Sequence, residues 1–531
     1  MRKMLFLGFD CSTQGLKVTA IDSSLRVVFS DALNFDRDLP TYGTSGGVVK
    51  KENGKVTSPT MMWLEGLDML LNRMKEKDFP FHDVRALSGS GQQHGSVYWA
   101  QGASKTLSSA VSSETLTSNF KNAFAIQHSP VWMDSSTSEE CEYLEKALGG
   151  DFETARITGS AAYERFTGPQ ICKLARENKS FENCERISLV SSFFACVFAG
   201  KYAPIDYSDG SGMNLLDIGS KKWCVDALRA MYPKGKLENL LGTPVPSHTR
   251  VGRIAPYFTK RFGFSDSCDV VAWSGDNNCT LAGLGLNRPG DLAVSLGTSD
   301  TLFGITSKPK PQTAGHVFVS PVDPNSAMVM LCFMNGSLVR EKIRDMCADG
   351  DWKVFDKSLS RTRPGNNGKI GIFFENPEIT PKINRTGHFF FESSSSSSSS
   401  RRDIKAVSSM SNDEQIRSVL EGHFLALRLH ALNMGIEIGE KIIVAGGASE
   451  NDAIVQILSN VFGVPVFSVS QPDAASLGAA YRALHAVSCK AFSDVVRVEY
   501  KKRATPCLKS HEIYTDLIPI YEACENMVHK G

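Results

Sequence analysis

The strongest constraint on this chain is a pattern that occurs twice. Near the start, the apolar run Met4 to Asp10 leads into Asp10-Cys11-Ser12-Thr13-Gln14, and Leu16 to Ile21 reads as a returning strand. Far down the chain, Leu292 to Leu296 leads into Gly297-Thr298-Ser299, and Thr301 to Ile305 returns. With the threonines aligned, DCSTQ at 10–14 lies over SLGTS at 295–299, which implies an internal duplication. Turns of this kind suit an anion, because backbone N–H groups and hydroxyls approach it closely where a glycine carries no Cβ. Two such hairpins facing each other across a cleft would grip the β- and γ-phosphates of a nucleotide from opposite sides. Asp10 adds a carboxylate suited to Mg²⁺ through its waters.

The acid for chemistry lies just before the second hairpin. Val270 to Trp273 reads as a short buried strand that stops at Ser274-Gly275 and delivers Asp276 and Asn277 at its C-terminal end. Open α/β sheets place their sites there, so Asp276 is the candidate catalytic base. A third strand end, after Val84 to Leu87, carries Gln92, Gln93 and His94. Gly89, Gly91 and Gly95 are spaced one residue too long for a dinucleotide fingerprint, and no helix pattern follows, so a Rossmann reading is set aside. His94 has two readings at this stage, a donor to a substrate oxygen or a histidine satisfied in its turn. Arg165, between aromatics in AAYERFTG, is either a fork for neighbouring sugar oxygens or an ordinary ion-pair partner.

The remaining segments read as scaffold with one exception. Ser58-Pro59 is expected to open a helix, and Asp134 to belong to the cap of the helix that Gly149-Gly150 ends. His388 to Asp403, with eight consecutive serines at 393–400, is expected to be a disordered surface loop. Ser411 to Glu414 reads as a capping box opening a long helix. The exception follows: strand Lys441 to Ala445 meets Gly446-Gly447-Ala448, glycines that permit close approach of a flat base or ribose, and Ser449 is expected to cap the next helix.

At 531 residues the chain is too long for one domain. Lysine plus arginine at 58 against aspartate plus glutamate at 57 leaves +1, so no global field favours nucleic acid or an anionic membrane. A small, locally bound ligand is expected instead. Thirteen cysteines without a paired CxxC framework suit a reducing compartment, with no structural disulfide and no zinc site. The apolar stretches are too short for a secretory signal or a bilayer span, so the chain is expected to be cytoplasmic.

Taken in order, DCST, GQQHG, GDNN, SLGTSDT and VAGGASEN resemble the FGGY carbohydrate kinases of the actin, Hsp70 and hexokinase superfold, and the likeness spans nearly the whole chain. Within that family NFDRDLP at 34–40, VWMDSST at 131–137, YERFTG at 163–168 and DYSDGSGMNLL at 206–216 are similar to the members that phosphorylate xylulose. The resemblance implies an α/β chain of two RNase-H-like domains around a central cleft. Residues 1–287 would form a sugar-binding domain, and 288–531 an ATP-binding domain that carries the serine loop 388–403. It implies ATP and Mg²⁺ as cofactors and a ketose substrate, D-xylulose becoming D-xylulose 5-phosphate. The alternatives are a kinase for ribulose or a polyol, or a catalytically silent nucleotide-dependent binding protein. Carried over by residue, His94, Arg165, Asp276 and Asn277 bind sugar, with Asp276 as base, and Asp10 organises the metal. Thr13, Gly297, Thr298, Ser299, Trp352, Gly446, Gly447, Ala448 and Asn451 border ATP. Three departures are visible: Lys173-Leu174 is followed by Ala175-Arg176 where many relatives carry a tryptophan, the loop that many relatives write around glycine-glutamate-arginine reads ENPEITP here, Glu375 to Pro381, and Asn460 stands where an acidic residue is usual.

Overall fold

The computed structural model describes residues 4–394, 403–469 and 473–530. Its first sheet is built from β1 (Leu5–Cys11), β2 (Gly15–Asp22), β3 (Val27–Asn34), β4 (Val84–Gly91) and β5 (Asp269–Val271), in the spatial order β3-β2-β1-β4-β5. The second uses β6 (Leu292–Leu296), β7 (Asp300–Thr306), β8 (Ala327–Phe333), β9 (Ile442–Ala445) and β10 (Val466–Ser468), in the order β8-β7-β6-β9-β10. The order is the same in both, and in both the second strand alone runs antiparallel to the other four. The repeated hairpin is therefore the visible part of a repeated RNase-H-like topology. Arg250–Arg253 and Lys501–Ala504 add an antiparallel strand at equivalent edges, beside β5 and β10.

β1 is buried along its whole length, as expected of a central strand covered on both faces, and this is why it reads as continuous apolar sequence. Helix Thr60–Glu76 packs over β2 and β3. Helix Ala474–Ser488, which follows β10 of the second sheet, lies on β1, β2 and β4 of the first. It also crosses helix Asp276–Gly283 at very close range. A Cβ at Gly478 would overlap the carbonyl oxygen of Cys279, so the two backbones meet where a side chain has no room. Around this crossing Phe6, Val271 and Leu281 share one core with Ala293, Phe303, Ile443 and Leu477.

Arg482, on the same helix and 1% exposed, reaches into the first half. It donates to the carbonyls of Ser247 (2.7 Å) and Ala272 (3.1 Å) and lies 3.8 Å from the Asp206 carboxylate.

Several local expectations are corrected. Ser58 and Pro59 end a strand, Val56–Pro59, and the helix starts at Thr60; the Ser58 hydroxyl donates to the Gly47 carbonyl instead of capping. Asp134 is no cap either, since it accepts from Val56 N–H, Ser136 and Gln170. The helix after VAGGASEN is capped by Asn451, whose Oδ1 takes the N–H groups of Ala453 and Ile454, while Ser449 donates back to Gly446. His388 to Ser394 is not loop but part of strand Gly387–Ser394, which pairs with Lys369–Phe374 and with Asp403–Val407. Its phenylalanines 389–391 supply the driving force that the serines concealed. Residues 395–402, the rest of the serine run, lie outside the described residues.

Candidate active site

Three parallel strand ends converge in the first sheet. Register pairs Asp10 with Ser90 and Cys11 with Gly91, while Ser274-Gly275 pairs with Ser90-Gly91, so Asp10, the QQH segment and Asp276 leave one edge together. Ser90 donates its hydroxyl to Asp10 at 2.7 Å. Burial nevertheless pushes the Asp10 carboxyl up to about 6, against the pull of Ser90 and Lys17. Asp276 is pushed up to about 7, first by desolvation and then by the neighbouring Asp10 charge, although the N–H groups of Asn277 and Gln93 bond it. A carboxylate poised near neutrality is suited to accept a proton and later release it. Behind it, a Cβ on Gly275 would come within 2.8 Å of Asp209 Oδ1. Burial, reinforced by Asp206, pushes the Asp209 carboxyl well above its ordinary value, which favours its neutral form beside Asp276.

The Asn277 amide donates to Gln93 Oε1 at 2.8 Å, which ties the first helical turn to the β4 end. His94, in left-handed backbone at φ +68°, stacks on Phe166 at 4.3 Å. Its Nδ1 must carry the proton, because it lies 2.7 Å from the Gly212 carbonyl, and Nε2 is left as an acceptor. Burial first and then the Arg165 charge hold the imidazole down to about 3, so it is neutral. Among the described residues Arg165 stands in no ion pair. Its guanidinium donates to His316 Nε2 at 3.1 Å and lies over the Tyr163 ring at 5.0 Å. His316 comes from strand His316–Val319 at the edge of the second sheet, so Arg165 sits where the two halves meet.

The nucleotide-type turns occupy the corresponding edge of the second sheet. Thr298 and Ser299 are exposed between β6 and β7, and exposed Gly446 and Gly447 follow β9, which runs parallel beside β6. A Cβ on Gly446 would overlap the Leu296 carbonyl, so this glycine is what lets the two turns lie side by side. The first turn is held from below by a buried ion pair, in which Arg340 takes both oxygens of Asp300 (2.7 and 3.0 Å) and His423 lies 2.8 Å away. Burial opposes that charge, but Arg340 and His423 keep the Asp300 carboxyl below its usual value.

ENPEITP completes this support. Glu378 accepts from the N–H groups of Met334 and Ile379 and from the Asn335 amide, fastening the loop to the segment ahead of helix Ser337–Cys347. Asn451 donates to Asp356, one turn along helix Trp352–Arg361 from Trp352, whose half-buried ring packs on Phe355 beneath Arg344. Thr13, in the first hairpin, accepts from the Trp132 indole at 2.8 Å.

Residues 121–283 match the N-terminal domain, and residues 292–487 the C-terminal domain, of the FGGY family of carbohydrate kinases. This chain belongs to that family. The xylulose kinase of Mus musculus is 48% identical over 98% of this chain and 94% of its own length. Xylulose kinase 2 of Arabidopsis thaliana is 48% identical over 91% of this chain and 88% of its own length. The crystal structure of xylulose kinase from Rhodospirillum rubrum superposes with a TM-score of 0.78 over 99% of both chains at 15% identity, which speaks for the fold. The protein is accordingly a carbohydrate kinase with two RNase-H-like domains.

Sequence reasoning assigned no role to four neighbours of these residues, Ser90, Gln93, Asp209 and His316, although it placed Gln93 at a strand end. Ser90 and Gln93 had a usable signal, since both flank a strand end already singled out. Asp209 stood in the DYSDGSGMNLL motif, but its proximity to Asp276, like that of His316 to Arg165, exists only after folding.

Proposed function

We propose that this FGGY kinase transfers the γ-phosphoryl group of ATP to D-xylulose, giving D-xylulose 5-phosphate and ADP. The observation that carries the reading is Asp276, a carboxyl pushed up to about 7 at the strand ends it shares with Asp10. Asp276 takes the proton of the primary hydroxyl as its oxygen forms a bond to the γ-phosphorus and the bond to the β-phosphate oxygen breaks. His94 Nε2 accepts from a sugar hydroxyl, Asn277 orients the substrate beside the base, and Arg165 donates to sugar oxygens. Gly297, Thr298, Ser299 and Thr13 hold phosphates, while Gly446, Gly447, Ala448, Asn451 and Trp352 border adenosine. The choice of D-xylulose is supported by two relatives of that name at 48% identity.

Among the described residues no group of three or more metal-ligating side chains gathers. That suits Mg²⁺, which takes one or two carboxylates, several waters and substrate phosphates rather than a protein cage. Asp10, buried beside Asp276, would hold it through water. The ion, when bound, supplies charge neutralisation to the phosphates. Among the described residues no helix is long and apolar enough to cross a membrane. Thirteen free thiols support a reducing, cytoplasmic setting.

The test is ADP release with Mg²⁺-ATP across D-xylulose, D-ribulose, L-ribulose, D-fructose and glycerol, with a no-sugar blank. A strong rise with D-xylulose is expected. A rise with another acceptor instead overturns the substrate, and no rise with any acceptor despite ATP binding overturns the kinase reading.

A further inference from the structure

A second, basic cavity lies in the first domain, apart from the strand ends that carry Asp10 and Asp276. Its volume is about 300 Å³, within the range of small-ligand sites, and its walls include Lys51, Lys55, Thr57, His128, Asp134 and Lys173. None of the catalytic candidates lines it. Its charges are unbalanced in a specific way. Among the described residues Lys51, Lys55 and Lys173 join no salt bridge, and Lys173 makes one hydrogen bond, to the Ser136 carbonyl at 2.6 Å. The acids nearby are already engaged. Asp134 is 2% exposed and accepts from Val56 N–H, from Ser136 N–H and Oγ, and from Gln170 Nε2. Glu177, at the rim, is 3.4 Å from Arg176.

Against these three ammonium groups stand the Asp134 and Glu177 carboxylates and about half a negative charge from the end of helix Thr167–Glu177, so the cavity keeps a narrow positive excess. An independent observation points the same way. Thr57, 3% exposed, belongs to the cavity wall, and its buried hydroxyl oxygen has no hydrogen-bond partner. An orphaned buried hydroxyl is costly unless a ligand or water satisfies it.

We propose that this cavity is a binding site for a small phosphate monoester, a dianion whose oxygens take the ammonium groups of Lys55 and Lys173 and the Thr57 hydroxyl. A bare ion leaves most of about 300 Å³ unfilled, whereas a phosphorylated polyol or sugar occupies it. The site has a direct route to the cleft. Asp134 in its wall belongs to the turn whose Trp132 donates to Thr13, in the first phosphate-type hairpin. Occupancy thus fixes the position of that turn.

The experiment is calorimetric titration of sn-glycerol 3-phosphate, and separately of inorganic phosphate, into the full chain with Mg²⁺-ADP and D-xylulose saturating the cleft. One equivalent of the ester is expected to bind. Its affinity should fall about tenfold or more in Lys55→Met and in Lys173→Met, as expected for loss of a charge-assisted bond, and by less in Thr57→Val. ADP-release kinetics without added ester should stay within about twofold of the parent in all three variants, which also shows that they fold. Binding of inorganic phosphate with no gain for the ester overturns the ester assignment. Absence of saturable binding, or binding unchanged in both lysine variants, overturns the site.

Discussion

Replacing Asp276 by Asn should make the ligand-free protein more stable while removing its activity. The carboxyl sits at about 7 in the folded chain against an ordinary 3.8. A raised acid holds its proton more tightly when folded, so its favourable contribution is complete below about pH 4 and is lost as pH rises through about 7. A shift of that size corresponds to at most about 4 kcal/mol. Asp276 is only partly buried and shares its field with Asp10, so about half of that is the reasonable share. Asn keeps one acceptor oxygen for the Asn277 N–H but loses the second, which costs about 1 kcal/mol.

The net expectation is a gain of roughly 1 kcal/mol above pH 7, a rise of about 1–2 °C in Tm for a chain of this length. Thermal unfolding without metal or nucleotide, compared at pH 5 and pH 8, reads it directly. The Tm gain should appear at pH 8 and shrink or reverse at pH 5, while kcat falls about 10²–10⁴-fold at pH 8 and by less at pH 5, where the parent's own base is mostly protonated. A Tm difference independent of pH, or a variant that keeps most of its kcat, refutes the reasoning.

Asp10→Asn should lower kcat by about 10²-fold or more and raise the Mg²⁺ concentration needed for half-maximal rate, measured by ADP release. Arg340→Met strands the buried Asp300 charge beneath the phosphate turn; about 3–5 kcal/mol of stability should be lost and KM for ATP should rise, checked by denaturant unfolding and initial rates. Arg165→Met should raise KM for the sugar about tenfold with KM for ATP little changed, as expected for loss of a charge-assisted bond to substrate. Gly478→Val should destabilise the chain by about 3 kcal/mol or more, because its side chain meets the Cys279 carbonyl.

Much of the fold was legible because it is local. Strand runs, the capping box at Ser411 and the two hydroxyl turns are written in neighbouring residues, and the structure has the Ser411 box in both its hydrogen bonds. The misreadings were local signals overruled from a distance. Ser58 resembles a cap, yet pairing of Val56–Pro59 with His128–Pro130 holds it in a strand. The serine run hid the phenylalanines 389–391, which pair with Lys369–Phe374 on one side, Phe390 and Phe391 pairing also with Asp403–Val407 on the other.

By itself the sequence determined that there are two similar halves, and that Asp10, His94, Asp276, Thr298 and Gly446 each stand at a strand's C-terminal end, because strand-turn patterning is a property of contiguous residues. Only the tertiary structure decided which of these meet. It put Ser90 against Asp10, set His316 of the second sheet on Arg165 and ran helix Ala474–Ser488 back across the first sheet. It also decided the protonation of the site. The pull of Asp276 towards about 7 comes from desolvation and from a neighbouring charge on another strand, and neither exists until the chain has excluded water around them.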